Sequence, residues 1–235
     1  MNINLTKKPV GPTVIEGFPG FGLVGTIAAE FLIEHLKCEK IGQYYFDDLP
    51  ATIAIHNEKV IAPVEIHYNK KSNIVIIHSI SGAQGTEWKA ADMVLDICKQ
   101  LKAKELISLE GVASATPGDT TRVFYNTNSK KSAERLKKAK VEPLKEGIIM
   151  GVTSAILVKT RIPTTCIFAE THSALPDSKA AAKVIETIDG YMGLNVDIKP
   201  LIKQAEKFEQ KLQGLMRQSK AAEREMDKKQ MSYVG

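Results

Sequence analysis

The sequence predicts an α/β fold, a three-layer sandwich in which a mixed sheet with an antiparallel insertion carries helices on both faces, plus a long C-terminal helix. Three observations carry that prediction. Apolar runs of strand length alternate with stretches of helical periodicity; residues 52–79 hold strand-like runs alone; and from residue 201 onward the apolar positions step by four and three.

The first unit is a strand, Thr13 to Phe18 (TVIEGF), then a glycine turn, Gly20 to Gly25 (GFGLVG), then a helix. Its apolar positions Leu23, Ile27, Phe31 and Ile33 to Leu36 recur at helical spacing, and Val24 and Ala28 widen the face. A second strand is expected over Lys40 to Phe46. Residues 52–79 break into three or four short β-branched runs at the turn signals Asn57-Glu58 and Asn69 to Asn73. Parallel crossovers need about a dozen residues, so strands this closely spaced are expected to pair antiparallel.

Thr86 to Leu101 reads as a helix with Thr86 at its N-cap and Trp88, Ala91, Val94, Leu95 and Cys98 on one side. Glu105 to Leu109 returns as a strand and ends in the small-residue loop GVASATPGDT. Val123 to Tyr125 is a short strand, Ser129 to Ala139 a basic surface helix, and GIIMGVTSAILVK a second strand-into-helix turn around Gly151. Thr165 to Ala169 is a core strand that leads through ETHSALPD into a helix over Ser178 to Met192, capped by Asp177 or Ser178.

Beyond it, positions 201, 205, 208, 212, 215, 219, 222 and 226 form a heptad seam on a helix otherwise rich in Lys, Glu and Gln. Its strong half is Leu201, Ala205, Phe208, Leu212 and Leu215, which serve either self-association or packing back on the domain. Pro200 suits the first turn of this helix. The expected organisation is an α/β domain over 1–198 and a C-terminal amphipathic helix and tail over 199–235.

Charge excludes some function classes. A net charge of +5, from 32 Lys+Arg against 27 Asp+Glu, is too mild to indicate nucleic acid. The cluster Lys130, Lys131, Arg135, Lys137, Lys138 and Lys140 has no interleaved aromatics to stack bases, so it reads as a solvated helix face or a complement to an acidic protein. Cys38, Cys98 and Cys166 lie far apart inside apolar runs, as buried free thiols in a reducing compartment would. No signal core opens the sequence and no run approaches the ~18 apolar residues that span a bilayer. The expectation is a cytoplasmic protein with no metal, no cofactor, no membrane and no nucleic-acid partner.

The glycine turn spells GxGxxG between a strand and a helix, with Asp47 and Asp48 roughly 20 residues on, where a dinucleotide site would place its ribose acid. Pro19 stiffens the turn, the acids run into Leu49-Pro50 and a hairpin instead of a crossover helix, and no second βαβ half follows. The better reading is structural: Gly17, Gly20, Gly22 and Gly25 permit unusual backbone angles and close helix-to-strand packing. A P-loop is excluded because no Gly-Lys-Ser/Thr follows.

An enzyme would draw on the carboxyl ends of the strands. The sequence offers His78, Ser81, Glu110, Ser114, Asp119, Arg122, Glu170, His172 and Ser173 there, but no spacing selects a triad, and His56 and His67 sit within strands. No catalytic residue is assigned. Glu110, an acid ending a core strand, needs a partner.

Taken together, GFPGFGLVG, EGVAS, GVTSAIL and ETHSALPDSKAAAKVIETI resemble the archaeal members of the proteasome assembly chaperone family, in consistent order over roughly Val14 to Asp189. The resemblance implies a phosphorylase/hydrolase-like α/β sandwich, homo-oligomerisation, and in some archaeal members a C-terminal tail that docks between α-subunits of the proteasome core. Such tails carry a penultimate tyrosine, whereas Tyr233-Val234-Gly235 places it third from the end, a change in reach of ~3.3 Å. Relatives have also been filed with ATP-grasp enzymes, but no adenine pocket or magnesium-binding carboxylates can be placed here. The expected function is a non-enzymatic homo-oligomeric chaperone or adaptor whose Tyr233, Val234 and Gly235 contact proteasome core α-subunits. The alternative is a nucleotide- or nucleoside-processing enzyme using the Gly20 to Gly25 turn with Glu110 and Glu170.

Overall fold

The computed structural model describes residues 3–49, 51–56, 58–82, 84–113, 121–171 and 175–203. The chain divides into two units, Met1–Ile198 and Lys199–Gly235; in the second, residues 199–203 are helical.

The first unit runs β1 (Thr13–Gly17), a 3-10 turn (Phe21–Leu23), α1 (Val24–His35), β2 (Glu39–Tyr44), β3 (Ala54–His56), β4 (Lys59–Ile61), β5 (Val64–Asn69) and β6 (Ile74–Ser79). It continues with α2 (Glu87–Gln100), β7 (Glu105–Ala113), β8 (Val123–Thr127), α3 (Lys130–Lys138), β9 (Glu142–Pro143), α4 (Gly151–Lys159), β10 (Thr164–Thr171) and α5 (Ser178–Met192). Eight strands form one sheet in the order β2-β5-β6-β1-β7-β10-β8-β9, and β3 and β4 form a separate two-stranded sheet.

The four central strands, β6, β1, β7 and β10, are parallel, and their register sets Ile15 beside Ile76 and Ile107. Buried on both faces, they read as near-continuous apolar runs, as parallel strands do. β5 and β2 extend one side antiparallel, and β8 pairs antiparallel with β10 on the other. The sheet is therefore mixed, with the antiparallel insertion on the β2 side.

Strand alternation splits the core into two layers. Val14, Val75, Ile77 and Leu106 pack with Val94 and Ile97 of α2 and Val152 and Ile156 of α4. On the opposite face lie α1, against β1, β6 and β7, and α5, against α1 and β10. Two caps locate helix starts: Ser129 Oγ accepts the Ser132 N–H at 3.2 Å, and Asp177 Oδ1 accepts the Ala180 N–H at 2.9 Å. α5 ends at Gly193 in the left-handed region, φ 72°.

Three local expectations change. Trp88 is 54% exposed, because the buried stripe of α2 centres on Ala90, Met93, Val94 and Ile97, and at 100° per residue Trp88 points away from it. The Lys159 ammonium lies over its ring at 5.3 Å. In α1 the buried residues are Val24, Gly25, Ala28, Ala29 and Leu32, while Ile27 and Phe31 are half-buried, because the small residues let the helix sit close on the sheet. No strand precedes α4: after the Leu144 N–H, which donates to the Tyr125 carbonyl oxygen of β8 at 2.8 Å, residues 145–150 belong to no strand, and Ile148 and Met150 stand exposed.

Among the described residues no helix is long and apolar enough to cross a membrane, and no three His, Cys, Asp or Glu side chains are grouped to hold a metal ion. Cys38, Cys98 and Cys166 are free thiols, and burial pushes those of Cys38 and Cys98 up to about 12.

Candidate functional site

The carboxyl ends of β1 and β7, with the start of α4, hold a buried polar chain. Register pairs Glu16 of β1 with Ser108 of β7, and two residues further along the same face comes Glu110. Thr153, in the first turn of α4, sits over them. Glu16 and Ser108 are fully buried, Thr153 and Glu110 nearly so.

The contacts run in series. Ser108 Oγ hydrogen-bonds Glu16 Oε1; Ser108 Oγ and Thr153 Oγ1 are 2.9 Å apart; Thr153 Oγ1 and Glu110 Oε2 are 3.1 Å apart. Three oxygen–oxygen contacts need three hydrogens, and the two hydroxyls supply two. The third has to come from a carboxyl, so at least one of the two acids is protonated when the chain is complete. Burial points the same way: it raises Glu16 to about 7, and burial plus the nearby Glu16 raises Glu110 to about 8. Glu16 Oε2 is buried with no partner.

Glu110 opens on a cleft of about 320 Å³ lined by Gly20, Phe21, Gly111 and Ile148–Gly151. A second cleft of about 390 Å³, lined by Arg122 and Glu170, shares Val112, Ala113, Ile148 and Ile149 with it. Arg122 grips Glu170 with two bonds, Nε to Oε2 at 2.9 Å and Nη2 to Oε1 at 2.7 Å, which commits this carboxylate to an ion pair. The two clefts are thus neighbours, one beside the glycine turn and Glu110, the other beside Glu170.

The turn itself is a set of close approaches. A Cβ on Gly20 would lie 1.8 Å from Glu110 Oε1, one on Gly25 2.2 Å from the Leu109 carbonyl oxygen, and one on Gly17 2.3 Å from the Gly25 carbonyl oxygen. Gly22 has φ +66°, a conformation that side chains disfavour. The space a pyrophosphate would need beside Gly20 is filled by a carboxyl group. Strand order adds a second obstacle, since β2 lies three positions from β1, roughly 14 Å at ~4.8 Å per strand. Asp47 and Asp48, which follow β2, therefore stand far from the turn, and the exposed Asp48 pairs with Lys89.

Of the other candidates, His78 is buried on β6, where burial lowers its imidazole to about 4 and keeps it neutral. His67 Nε2 lies 3.0 Å from Glu65 Oε2. Ser81 lines a third cleft, beside the β3–β4 hairpin. Ser114, Asp119, His172 and Ser173 lie outside the described residues, as do Ala205, Phe208, Leu212, Leu215, Tyr233, Val234 and Gly235; Leu201 falls in the helical stretch 199–203. Sequence reasoning missed Glu16, Ser108 and Thr153. The signal was there in TVIEG: a lone carboxylate inside an apolar central strand is costly unless it is partnered or neutral.

A mixed sheet with parallel central strands, covered by helices on both faces and cleft at the strands' carboxyl ends, is an α/β sandwich. The chain belongs to the PAC2 family, whose model matches residues 14–216. PbaA of Pyrococcus furiosus, an archaeal homolog of proteasome-assembly chaperone, matches it with a TM-score of 0.83 and 30% identity over 97% of this chain and 96% of that one. PbaB of the same organism, an archaeal proteasome activator, matches in fold with a TM-score of 0.79 at 24% identity, over 92% and 98%. An uncharacterized protein of Methanocaldococcus jannaschii is 30% identical over 210 residues, 88% of this chain and 86% of its own.

Proposed function

We infer that this protein is a non-enzymatic chaperone or adaptor of the proteasome, a homo-oligomer that presents several C-terminal tails to α-subunits of the core. The observation that carries the reading is the likeness to PbaA along nearly the whole of both chains. The physical rationale is multivalency. One short tail binds weakly, but linked copies raise the effective concentration of the second and later tails to the millimolar range when their spacing suits the pockets. Tyr233, Val234 and Gly235 make the contacts, the ring filling an apolar pocket and the carboxylate meeting a cation.

The test is deletion of Ser232 to Gly235 from the full chain. Wild type co-purifies with proteasome α-subunits; the deletion variant keeps the oligomer mass and loses co-purification. Binding that survives the deletion removes the tail from the mechanism.

A nucleotide-processing alternative has the neighbouring clefts in its favour. Against it stand the filled space beside Gly20, the engagement of Glu170 by Arg122 and the strand order that carries Asp47 and Asp48 away from the turn.

A further inference from the structure

The hydrogen-bond chain from Glu16 to Glu110 closes in two ways. With its carboxyl proton on Glu110, that acid donates to Thr153, Thr153 to Ser108 and Ser108 to Glu16. With the proton on Glu16 every donor reverses, and Glu110 becomes a carboxylate that accepts the Thr153 hydroxyl. The surroundings of Glu110 suit the second form. The Gly111 N–H donates to its Oε1 at 3.1 Å and the Phe21 N–H donates to the same carboxyl, so with Thr153 three donors aim at it. What the carboxylate lacks is a countercharge. Among the described residues no Lys, Arg or His bonds to Glu110 or Glu16, and Arg122 of the neighbouring cleft is held by Glu170. A buried charge without a partner is costly.

The cleft on which Glu110 opens, about 320 Å³, has walls of the opposite character. Phe21, Ile148 and Met150 all line it, and they are 36%, 91% and 77% exposed. Large apolar side chains left in water around one buried acid define their complement: a molecule with an apolar body and a single cationic head. The volume is that of a small-molecule site, which begins at ~300 Å³. A bare metal ion does not fit, since no three His, Cys, Asp or Glu among the described residues are grouped to hold one. The start of α4 at Gly151 adds the partial positive charge of a helix terminus, less than the unit charge of the carboxylate.

We propose that this cleft binds a small primary amine, its apolar stem between Phe21, Ile148 and Met150 and its ammonium against the Glu110 carboxylate, with Glu16 holding the proton of the chain. The site is independent of the C-terminal tail and of the oligomer. Binding needs Glu110 ionised. Burial and the nearby Glu16 raise Glu110 to about 8, so the free cleft turns neutral as pH falls and the amine is held less tightly. The other titratable groups facing Glu110 are Glu16 on β1 and the Cys166 thiol on β10, which burial keeps neutral. An alkylammonium, with a lysine-like pKa of ~10.4, stays charged up to pH 8.

The experiment is calorimetric titration of the full chain with n-butylammonium chloride at pH 5, 6, 7 and 8, with n-butanol as the uncharged probe of the same stem. The amine should bind saturably, tightening about tenfold or more from pH 5 to pH 8, while the alcohol gives no saturable binding. Glu110→Gln removes the charge and weakens the amine ~10–100-fold. Ile148→Lys sets a cation at the rim from an exposed position that leaves the core intact, and it also weakens the amine. Circular dichroism shows whether each variant is folded; should Glu110→Gln unfold, Ile148→Lys and the pH series decide. Butanol binding as tightly as the amine, an affinity that ignores pH, folded variants that bind like wild type, or no saturable binding by wild type overturns the proposal.

Discussion

Replacing Glu16 by Gln tests the buried acid chain through the pH dependence of stability. In the folded protein the Glu16 carboxyl is raised from 4.5 to about 7 because its ionised form is buried. Below pH 4.5 both folded and unfolded chains hold the proton and the group costs nothing. As pH rises the unfolded chain releases the proton first, so stability falls, and the loss is complete once pH passes the folded value near 7. At ~1.36 kcal/mol per pKa unit, that loss is about 3 kcal/mol. Glu110, raised to about 8, adds a loss of the same sign that extends to higher pH. Glu16→Gln removes one titration and relieves Glu110 of a neighbouring charge. The absolute stability of the variant also carries the cost of burying an amide N–H₂ where Glu16 Oε2 has no partner. The decisive quantity is therefore the slope. Urea midpoints at pH 5, 6, 7 and 8, at fixed protein concentration, should show wild type losing about 2.5 kcal/mol more than the variant across the range, the first part of the loss falling below pH 5. Parallel curves would mean that Glu16 ionises as readily folded as unfolded, which refutes its burial as a proton-holding acid and leaves Glu110 alone to supply the third hydrogen of the chain.

Two further outcomes follow from the same region. Gly25→Ala places a methyl 2.2 Å from the Leu109 carbonyl oxygen, a backbone atom that moves only with β7, so unfolding experiments should show a loss of ~3 kcal/mol; wild-type stability would mean that α1 does not sit this close to the sheet. A thermal-shift screen against nucleotides should give no stabilisation, whereas a saturating ligand at ~100 times its dissociation constant would add ~2.7 kcal/mol and favour the enzyme alternative.

What the sequence made legible was what local chemistry decides. The bounds of α5 follow from a cap at Asp177, a 3.6-residue apolar repeat and Gly193, all within one short stretch. The hairpins at Asn57-Glu58 and Asn69 to Asn73 follow from turn residues between β-branched runs. Trp88 was misplaced because hydrophobicity alone put it in the stripe, when the angle to Met93 and Ile97 turns it out. β7 runs on through Gly111 to Ala113 past the point where glycine suggested a loop, because β10 supplies a partner as far as Ala113. Strand order and the meeting of Glu16 with Thr153 depend on contacts between residues far apart in the chain. No window of sequence contains them.

The glycine turn shows how one pattern serves either reading until the third dimension is known. Gly20 and Gly25 are spaced as a phosphate-binding turn requires, and the same absence of Cβ atoms that would admit a pyrophosphate here admits the Glu110 carboxyl and the Leu109 carbonyl. An ionised carboxylate in that position would repel an anion, and a neutral one still occupies the space. The turn is thereby used up in packing α1 against β1 and β7. A fold that uses its glycines this way gains close helix-to-strand contact at the turn, and the room a phosphate group would need is taken by the protein's own atoms.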